Sequence, residues 1–326
     1  MKTPDYLWKA WHPLALLLSP LSLLFLAVTR LRRAAYSLHL KKVYRAPVPV
    51  IIVGNISVGG TGKTPLVIWL CRYLLRQGYK PGVVLRGYGG DASHWPQQVR
   101  SDSDPAIVGD EAVVIAAESG CPVCADPDRT EAVQELLRCS PCDVIISDDG
   151  LQHYALARDI EIAVIDGERR FGNGLLLPAG PLREPVSRLR KVDLVIINQH
   201  CSEGFHCLHL APDQLVNLAT GEKRSIDAIS GSRVHAVSGI GNPARFYRLL
   251  TDAGIEIKEH SYPDHHRFAA ADILFDDELP VIMTAKDAVK CRPYATSRHW
   301  SLLLKVQPST EFVLQFTSLL KLRNRP

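Results

Sequence analysis

The chain has 326 residues, of which 46% are hydrophobic and 22% charged, and its formal net charge at pH 7 is +4. This is the composition of an ordinary globular protein, and the net charge is too small to indicate nucleic acid as a partner. Because a single hydrophobic core usually stops growing at roughly 250 to 300 residues, the length predicts about two domains.

The first predicted element is an apolar helix near the N-terminus. Between Ala10 and Thr29 there is no Lys, Arg, Asp or Glu, and leucine dominates the stretch. A helix of this length reaches about 30 Å, which is just enough to cross the hydrocarbon core of a bilayer, although Pro13 and Pro20 would shorten or kink it. The sequence therefore predicts a membrane anchor helix over residues 1–30, and both a crossing helix and a monotopic one remain open.

Basic residues follow the apolar run rather than precede it. Only Lys2 and Lys9 come before it. By the positive-inside rule, everything downstream is predicted to lie on the cytosolic side of the membrane, and the basic cluster would favour an anionic membrane surface. A cleaved secretory signal is the alternative, but here the basic cluster follows the apolar run instead of preceding it. The cluster comprises Arg30, Arg32, Arg33, Lys41, Lys42 and Arg45.

A glycine-rich loop follows the apolar, β-branched run 48–53 and precedes a helix-like stretch, 65–75. It reads G-N-I-S-V-G-G-T-G-K-T-P over residues 54–65. Its backbone N–H groups can converge on phosphate oxygens at a helix N-terminus, a lysine adds a charge, and a threonine hydroxyl can bind Mg²⁺. The spacing departs from the usual motif because Ser57 stands where the first glycine is expected. We predict ATP binding by Gly59, Gly60, Thr61, Gly62, Lys63 and Thr64.

Strands and helices alternate after this loop. The alternation is typical of an α/β protein with a doubly wound, mostly parallel sheet of the P-loop NTPase type, which we assign to residues 31–203. Predicted strands cover residues 82–85, the neighbourhood of 123, 143–147, 160–166 and 192–198, and predicted helices cover residues 110–119 and 129–138.

One of these strands ends in two acids. The run D-V-I-I-S-D-D over residues 143–149 has the form of a Walker B segment beside a phosphate loop. A polar strand end that feeds a turn at Gly150 is the alternative. We predict that Asp148 and Asp149, together with Thr64, hold Mg²⁺.

Eight cysteines raise the question of a metal site. The pairs Cys121/Cys124 and Cys139/Cys142 have nearly zinc-ribbon spacing. Each cysteine lies where an α/β core would place it, so we favour reduced, buried thiols over metal ligands. A second candidate ligand cluster, His206, Cys207 and His209, carries a weaker signal because no matching partner pair is visible.

The periodic pattern degrades over residues 204–229 into polar, short-strand material. Strands and helices then alternate again. The sequence therefore predicts a linker over 204–229 and a second, smaller α/β lobe over 230–326. The predicted elements of that lobe are 234–237, 243–253, 281–284, 301–306 and 311–322.

Several short motifs, taken in their order along the chain, resemble the tetraacyldisaccharide 4'-kinase family, the lipid A 4'-kinases. Each motif is weak alone, but their sequence and spacing are highly specific. Two positions depart from the family pattern, Leu151 after D-D-G and Ala112 after G-D-E, and both look like packing changes. Besides the phosphate loop, the motifs are R-G-Y-G, V-G-D-E, D-D-G-L-Q-H, D-G-E-R-R-F-G-N-G-L-L-L-P-A-G-P-L-R-E-P, G-I-G-N-P-x-R-F, P-D-H-H-R-F and T-A-K-D-A-V-K.

The resemblance implies a kinase of lipid A biosynthesis. It would transfer the γ-phosphate of ATP to the 4'-hydroxyl of a tetraacylated glucosamine disaccharide 1-phosphate at the cytoplasmic face of the inner membrane. An acceptor with four acyl chains stays in the bilayer, so the enzyme has to bring its cleft to the membrane surface. No protein partner is evident from the sequence.

The resemblance also implies roles for residues outside the phosphate loop. An Asp paired with a His would accept the proton of the sugar hydroxyl, and these map onto Asp110 and His265, beside Lys63 as the residue that neutralises charge. Arg183 and Glu184 match family positions near the disaccharide. Simpler roles remain open, namely an N-cap for Asp110, a turn for His265, and a solvated ion pair for Arg183 and Glu184.

Two other functions compete with this one. A membrane-docked P-loop ATPase that drives a partner protein would need no acceptor site. A cytosolic amide-forming or small-metabolite enzyme would use the apolar N-terminus only for packing. The ATPase reading predicts that the D-H-H and P-L-R-E segments have no role in the reaction.

Overall fold

The protein is described from a computed structural model that covers residue 8 and residues 12–201 and 203–323. The predictions that fall on residues 1–7 and 9–11, including the basic residues ahead of the apolar run, lie outside the described residues.

A long apolar helix, α1 (Pro13–Ser37), begins the described chain. Pro13 suits the first turn, where a helix needs no N–H donor from its own residue. The helix does not end near residue 30 as predicted but continues through the arginines to Ser37, because Arg and Ala are strong helix formers. Its composition and length meet the requirement for a membrane span, and little of it is covered by the rest of the chain.

Thirteen strands of the described residues join into one sheet. They are β1 (Val50–Gly54), β2 (Pro81–Leu85), β3 (Gln97–Val99), β4 (Val123–Ala125), β5 (Val144–Asp148), β6 (Ile160–Asp166), β7 (Leu194–Asn198), β8 (His206–Asn217), β9 (Lys223–Ser225), β10 (Arg233–Ser238), β11 (Glu256–Ser261), β12 (Val281–Thr284) and β13 (His299–Pro308).

The sheet is mostly parallel. Its order is β11-β10-β12-β13-β8-β7-β6-β1-β5-β2-β4-β3, with β9 beside β8. The antiparallel pairs are β13 with β8, β3 with β4, and β8 with β9. The predicted α/β class with a doubly wound, mostly parallel sheet is therefore confirmed.

Helices cover both faces of the sheet. Residues of α2, α4 and α8 pack in one apolar cluster with β1, while α5 packs with the opposite face. This two-sided cover explains why central strands such as β1 and β5 are buried at every position. The helices after α1 are α2 (Lys63–Arg76), α3 (Pro105–Val108), α4 (Asp110–Ser119), α5 (Arg129–Cys139), α6 (Pro243–Asp252), α7 (Ala285–Cys291) and α8 (Thr310–Arg323).

The segment for which a linker was predicted contains β8, the strand on which the two halves of the sheet meet. On one side β8 pairs parallel to β7, and on the other it pairs antiparallel to β13. Its buried positions are Leu208 and Leu210 and then Leu215 and Asn217. The buried side chains therefore switch from even-numbered to odd-numbered residues in the middle of the strand. A register shift opposite Pro212 explains this change, because one extra residue reverses the facing of those after it. The lobe boundaries stay a prediction.

The candidate site lies where the strand order reverses. β1 stands between β5 and β6, and the connections that follow these strands leave from the same edge. Ligands of open α/β sheets bind in the crevice outside the carboxyl ends of the strands at such a point. The phosphate loop after β1 and the two acids at the end of β5 therefore face one cleft.

Candidate active site

The phosphate loop connects β1 to α2 in the predicted way. Gly62 precedes α2 with φ of 90°, a left-handed conformation that glycine adopts without strain, and no side chain caps the helix. A Cβ at Gly62 would clash with Nδ2 of Asn198, so a larger residue would also displace this neighbour. The free N–H groups of the first turn, with Lys63 and Thr64 beside them, form an anion-binding helix terminus.

Two side chains at or just beyond the ends of other strands hold the loop in place. Asn198, at the end of β7, donates from Nδ2 to the carbonyl of Thr61 at 2.9 Å. Arg169 donates from Nη2 to the carbonyl of Gly60 at 2.8 Å. Sequence reasoning missed both residues as parts of the nucleotide site, although Arg169 lies in the D-G-E-R-R motif.

The acids at the end of β5 differ in their electrostatic environment. Asp148 is buried, and burial together with the nearby negative charge of Glu111 raises its pKa to about 7. Burial also disfavours the charged form of Asp149, but the positive charges of Lys63 and Arg183 outweigh it and hold the pKa of Asp149 well below its usual range. Lys63 Nζ lies 3.4 Å from Asp149 Oδ1, and Arg183 Nη1 lies 2.9 Å from Asp149 Oδ2.

The residues fit the predicted Mg²⁺. Oδ1 of Asp148 is buried and has no hydrogen-bond partner within the described residues. A buried carboxylate oxygen without a donor is costly unless a cation or water satisfies it. Asp148, Asp149 and Thr64 line the same cleft and supply hard oxygen ligands of the kind Mg²⁺ prefers.

Asp110 and His265 meet across the cleft. Nδ1 of His265 lies 3.2 Å from Oδ2 of Asp110, although the two residues are 155 positions apart in sequence. Asp110 begins α4 and is largely buried, while Gly109 occupies the N-cap position, so Asp110 is not the N-cap. His265 has φ of 59° and lies in the turn after β11.

This contact shifts the pKa of both groups. The hydrogen bond that His265 donates to the Asp110 carboxylate raises the pKa of His265. Burial alone would raise the pKa of Asp110, but His265 and the lysine charges of Lys286 and Lys290 together lower it. The Asp110 carboxylate is therefore ionised at neutral pH, and the positively charged side chains around it stabilise its negative charge.

Neighbouring side chains fix the position of this pair. Lys286 of α7 forms an ion pair with Glu111, which follows Asp110. The ring of Tyr88 lies 5.0 Å from the ring of His265, centroid to centroid. His266, the other histidine of the P-D-H-H motif, instead contacts Asp272 at 3.0 Å. Only the first histidine of the motif therefore faces Asp110.

Arg183 and Glu184 lie on the same side of the cleft but have different partners. Arg183 binds Asp149, as described above. Glu184 is buried and accepts hydrogen bonds from Gln152 Nε2 and Tyr154 Oη, both at 2.7 Å. A solvated ion pair between Arg183 and Glu184 is therefore wrong, because the structure gives each residue other partners.

A polar bridge joins helix α6 to the phosphate-loop side of the cleft. Arg245 Nη2 donates to Asn198 Oδ1 at 2.7 Å, and its Nη1 lies 4.0 Å from Asp166 Oδ2. Asn198 thus binds the phosphate loop through its amide nitrogen and Arg245 through its oxygen. Sequence reasoning missed this bridge, although Arg245 belongs to the G-N-P-x-R-F motif.

The two CxxC pairs do not gather into a ligand cluster in the part of the chain that the structure describes. Cys121 and Cys124 are buried, and burial raises the pKa of Cys124 to about 12. Cys142 is half-buried. Cys139 is exposed, so its assignment to the core was wrong: it ends α5 on the solvent side.

Most of the charged groups described above line one large cleft with a volume of about 3020 Å³. The phosphate loop, the acids Asp148 and Asp149, and His265 lie on its walls, and so do Phe25 and Arg32 of α1. The cleft can therefore hold a nucleotide and a second large substrate that approaches along the apolar helix.

Known proteins resemble this chain over nearly its whole length. The family model described as tetraacyldisaccharide-1-P 4'-kinase matches residues 14–321. A tetraacyldisaccharide 4'-kinase of Nitrosococcus oceani is 48% identical over 314 residues, which cover 96% of this chain and 93% of that protein. One of Alkalilimnicola ehrlichii is 50% identical over 308 residues, covering 94% and 91% respectively.

A solved structure agrees with these relatives. The crystal structure of LpxK from Aquifex aeolicus in complex with ATP superposes with a TM-score of 0.82 at 29% identity, covering 96% of this chain and all of the other. With the family model spanning the described fold from α1 to α8, the resemblance in the motifs is confirmed. The chain belongs to the tetraacyldisaccharide-1-P 4'-kinase family.

Proposed function

We propose that this chain transfers the γ-phosphate of ATP to the 4'-hydroxyl of a tetraacylated glucosamine disaccharide 1-phosphate, a step of lipid A biosynthesis, with Asp110 as the general base. The contact of 3.2 Å between Asp110 and His265, a residue that lines the same cleft as the phosphate loop, carries this proposal. An ATPase without an acceptor would not need this pair.

Different residues of the site are proposed to serve different parts of the phosphoryl transfer. The N–H groups after Gly62 and the charge of Lys63 hold the triphosphate, since this reaction depends on positioning and charge neutralisation more than on covalent help from the protein. Asp148, Asp149 and Thr64 would hold Mg²⁺, which when bound supplies further charge neutralisation on the phosphates. Arg183, beside Asp149, is proposed to bind the acceptor together with Glu184.

Asp110 accepts the proton of the sugar hydroxyl in this mechanism. Its lowered pKa keeps the carboxylate ionised, and His265 orients it from the opposite wall of the cleft. Because Asp110 begins α4 and His265 follows β11, any movement of one wall relative to the other would make or break this arrangement. Closure of the cleft on both substrates would therefore assemble the base.

The helix α1 is proposed to bind the cytoplasmic face of the inner membrane. Leucines point outward on several sides of α1, and the side chains of Leu17, Leu23 and Leu24 are 74%, 67% and 62% exposed. Only a narrow stripe is packed, at Ala15 and Ser22. A helix that is apolar all round and mostly uncovered suits a bilayer, and exposed basic residues follow it.

The contacts of this stripe favour a monotopic position over a crossing one. Ser22, near the middle of the apolar run, donates to the carbonyl of Leu176 and accepts from the N–H of Ala179. Both partners belong to the loop that follows β6, on the wall of the cleft. A helix held there at its middle cannot also have that point at the centre of the bilayer, so α1 would lie along the surface.

The activity is tested with γ-labelled ATP and the lipid disaccharide in detergent. We expect the label in the lipid. Label that appears only as free phosphate would support the rival ATPase, and no consumption of ATP would contradict both functions.

The membrane proposal is tested by replacing Leu17, Leu23 and Leu24 with Gln, which preserves the Ser22 contacts. We expect this variant to leave the membrane fraction but to phosphorylate detergent-dispersed substrate. The matched control replaces Leu75 and Leu314, which are 42% and 63% exposed on other helices, with Gln, and should stay in the membrane fraction. Equal fractionation of both variants would contradict the proposal.

A further inference from the structure

A group of three metal-ligating side chains lies away from the described reaction groups, at the start of β8. The ligand atoms of Cys201, Cys207 and His209 all lie within 4.8 Å of one another. Sγ of Cys201 is 3.7 Å from Nε2 of His209, and Cys201 forms a disulfide with Cys207. Neither the phosphate loop nor the Asp110 pair uses these residues.

The local structure explains why these three residues meet. Cys207 and His209 are two positions apart in β8, and alternate residues of a strand point to the same face. Cys201 comes from the loop that returns after β7, where Gln199 and His200 have φ of 57° and 38° and turn the chain.

His206 does not belong to the group, contrary to the ligand set that the sequence offered. As the neighbour of Cys207 it points to the other face, where its Nε2 lies 3.1 Å from Oε1 of Gln315. Cys201 takes its place in the cluster.

The distance between the ligand atoms of Cys201 and His209 suits a tetrahedrally coordinated ion. Zinc binds cysteine sulfur at about 2.3 Å and histidine nitrogen at about 2.0–2.1 Å, which places a sulfur and a nitrogen of one tetrahedron about 3.6 Å apart. The observed distance of 3.7 Å between Cys201 Sγ and His209 Nε2 is close to this. In the reduced protein the two sulfurs would have to separate to about 3.8 Å to bind the same ion, which rotation of the side chains can provide.

We propose that the reduced cluster is a Zn²⁺ site formed by Cys201, Cys207 and His209, with water as the fourth ligand. Two thiolates and an imidazole are a ligand set that selects zinc over the hard ions Mg²⁺ and Ca²⁺. The site is independent of the proposed kinase reaction, and its test does not rely on that activity.

The two states of the cluster exclude one another. A dithiol reductant donates two electrons and two protons to the disulfide, which yields two thiols and the oxidised, cyclic reductant. Binding of Zn²⁺ then releases the two thiol protons. On the cytoplasmic side proposed above, glutathione and thioredoxin keep thiols reduced, so the metal-binding state is the expected one.

The position of the site suggests what the ion would stabilise. It would tie the loop after β7 to β8, the strand on which the two halves of the sheet meet. Asn198, three residues before Cys201, holds the phosphate loop and Arg245. Zinc would thus act as a clamp beside the bridge between the two walls of the cleft.

The test is a Co²⁺ titration of the full-length protein in detergent, after anaerobic reduction and removal of the reductant. We expect a thiolate-to-cobalt charge-transfer band that saturates at one ion per chain and is abolished by Zn²⁺. The variants Cys201→Ser and Cys207→Ser should lose the band, and His209→Ala should bind Co²⁺ at least about tenfold more weakly.

Matched controls separate this site from the other thiols. Cys139→Ser removes an exposed free cysteine elsewhere, and His206→Ala removes the histidine on the opposite face of β8. Both should retain the band. Because Cys201 and His209 are exposed, their replacement should leave the fold intact, which circular dichroism checks. A reduced protein without the band, or a band that survives Cys207→Ser, would overturn the proposal.

Discussion

The two walls of the cleft are built in different ways. The phosphate loop and its helix come from one uninterrupted segment, and their geometry follows from glycines and a helix N-terminus. The opposite wall depends on pairs that are far apart in sequence, such as Asp110 with His265 and Glu111 with Lys286. Nucleotide binding is therefore a local property of the chain, whereas the proposed base exists only when both walls are in place.

The largest expected effect on activity comes from a change in the wall that contains the phosphate loop. Lys63→Ala removes the charge beside the triphosphate and should lower kcat by about 10³-fold, as loss of one preorganised electrostatic contact does. Arg183 still pairs with Asp149 in this variant, so the fold should persist, which a thermal melt checks. Transfer of label to the lipid at the rate of the unaltered enzyme would contradict the role of the loop.

The next largest effect is expected from changes in Asp110 and His265, which are far apart in sequence. Asp110→Ala removes the proposed base and should lower kcat by at least about 10²-fold, with a smaller change in the KM for ATP. His265→Ala should reduce kcat less, because the carboxylate remains. If each variant stayed within about threefold of the parent, a difference well under 1 kcal/mol, the assignment of the base would be wrong.

A smaller effect is expected at the bridge between the walls. Arg245→Ala removes a charged hydrogen bond to Asn198, which is typically worth about 1.5–3 kcal/mol, and should raise the KM for ATP roughly tenfold or more. Arg248→Ala is the matched control, since its ion pair with Glu168 is about half exposed and should change the KM by less than about threefold. Equal effects of both variants would show that the bridge does not position the loop.

The smallest effect is a change in pH dependence. Asp110→Asn removes the negative charge that raises the pKa of His265, so this pKa should fall, as an NMR titration of the ring protons would show. A raised folded pKa stabilises the protein below the unfolded value of about 6.5, and this stabilisation is lost as the pH rises through the folded value. The lowered folded-state pKa of Asp110 stabilises the folded protein at pH values above the unfolded pKa of about 3.9.

The destabilisation by Asp110→Asn should therefore be largest between about pH 4 and 6.5 and should shrink at higher pH. Denaturant unfolding within this range and at a pH above the raised folded pKa of His265 measures the difference. A loss of stability that does not depend on pH would mean that the pair contributes only through packing.

Much of the fold could be predicted because its signals are local. Helix α4 begins and ends at the predicted residues, and β6 and β12 have the predicted bounds. β8 was missed because the register shift opposite Pro212 reverses its alternation. β11 was missed for a different reason: it lies at the edge of the sheet and has no fully buried position, so it carries little hydrophobic pattern.

The sequence by itself determined the phosphate loop, the acids at the end of β5 and the apolar helix, because each depends on residues that are close together in the chain. It also determined the family, because the order and spacing of several short motifs along one chain are specific. Only the tertiary structure decided that His265 and Asp110 meet, that Asn198 joins the loop to Arg245, and that Cys201 replaces His206 beside His209. These contacts depend on how strands far apart in sequence are ordered in one sheet, and no local pattern of residues encodes that order.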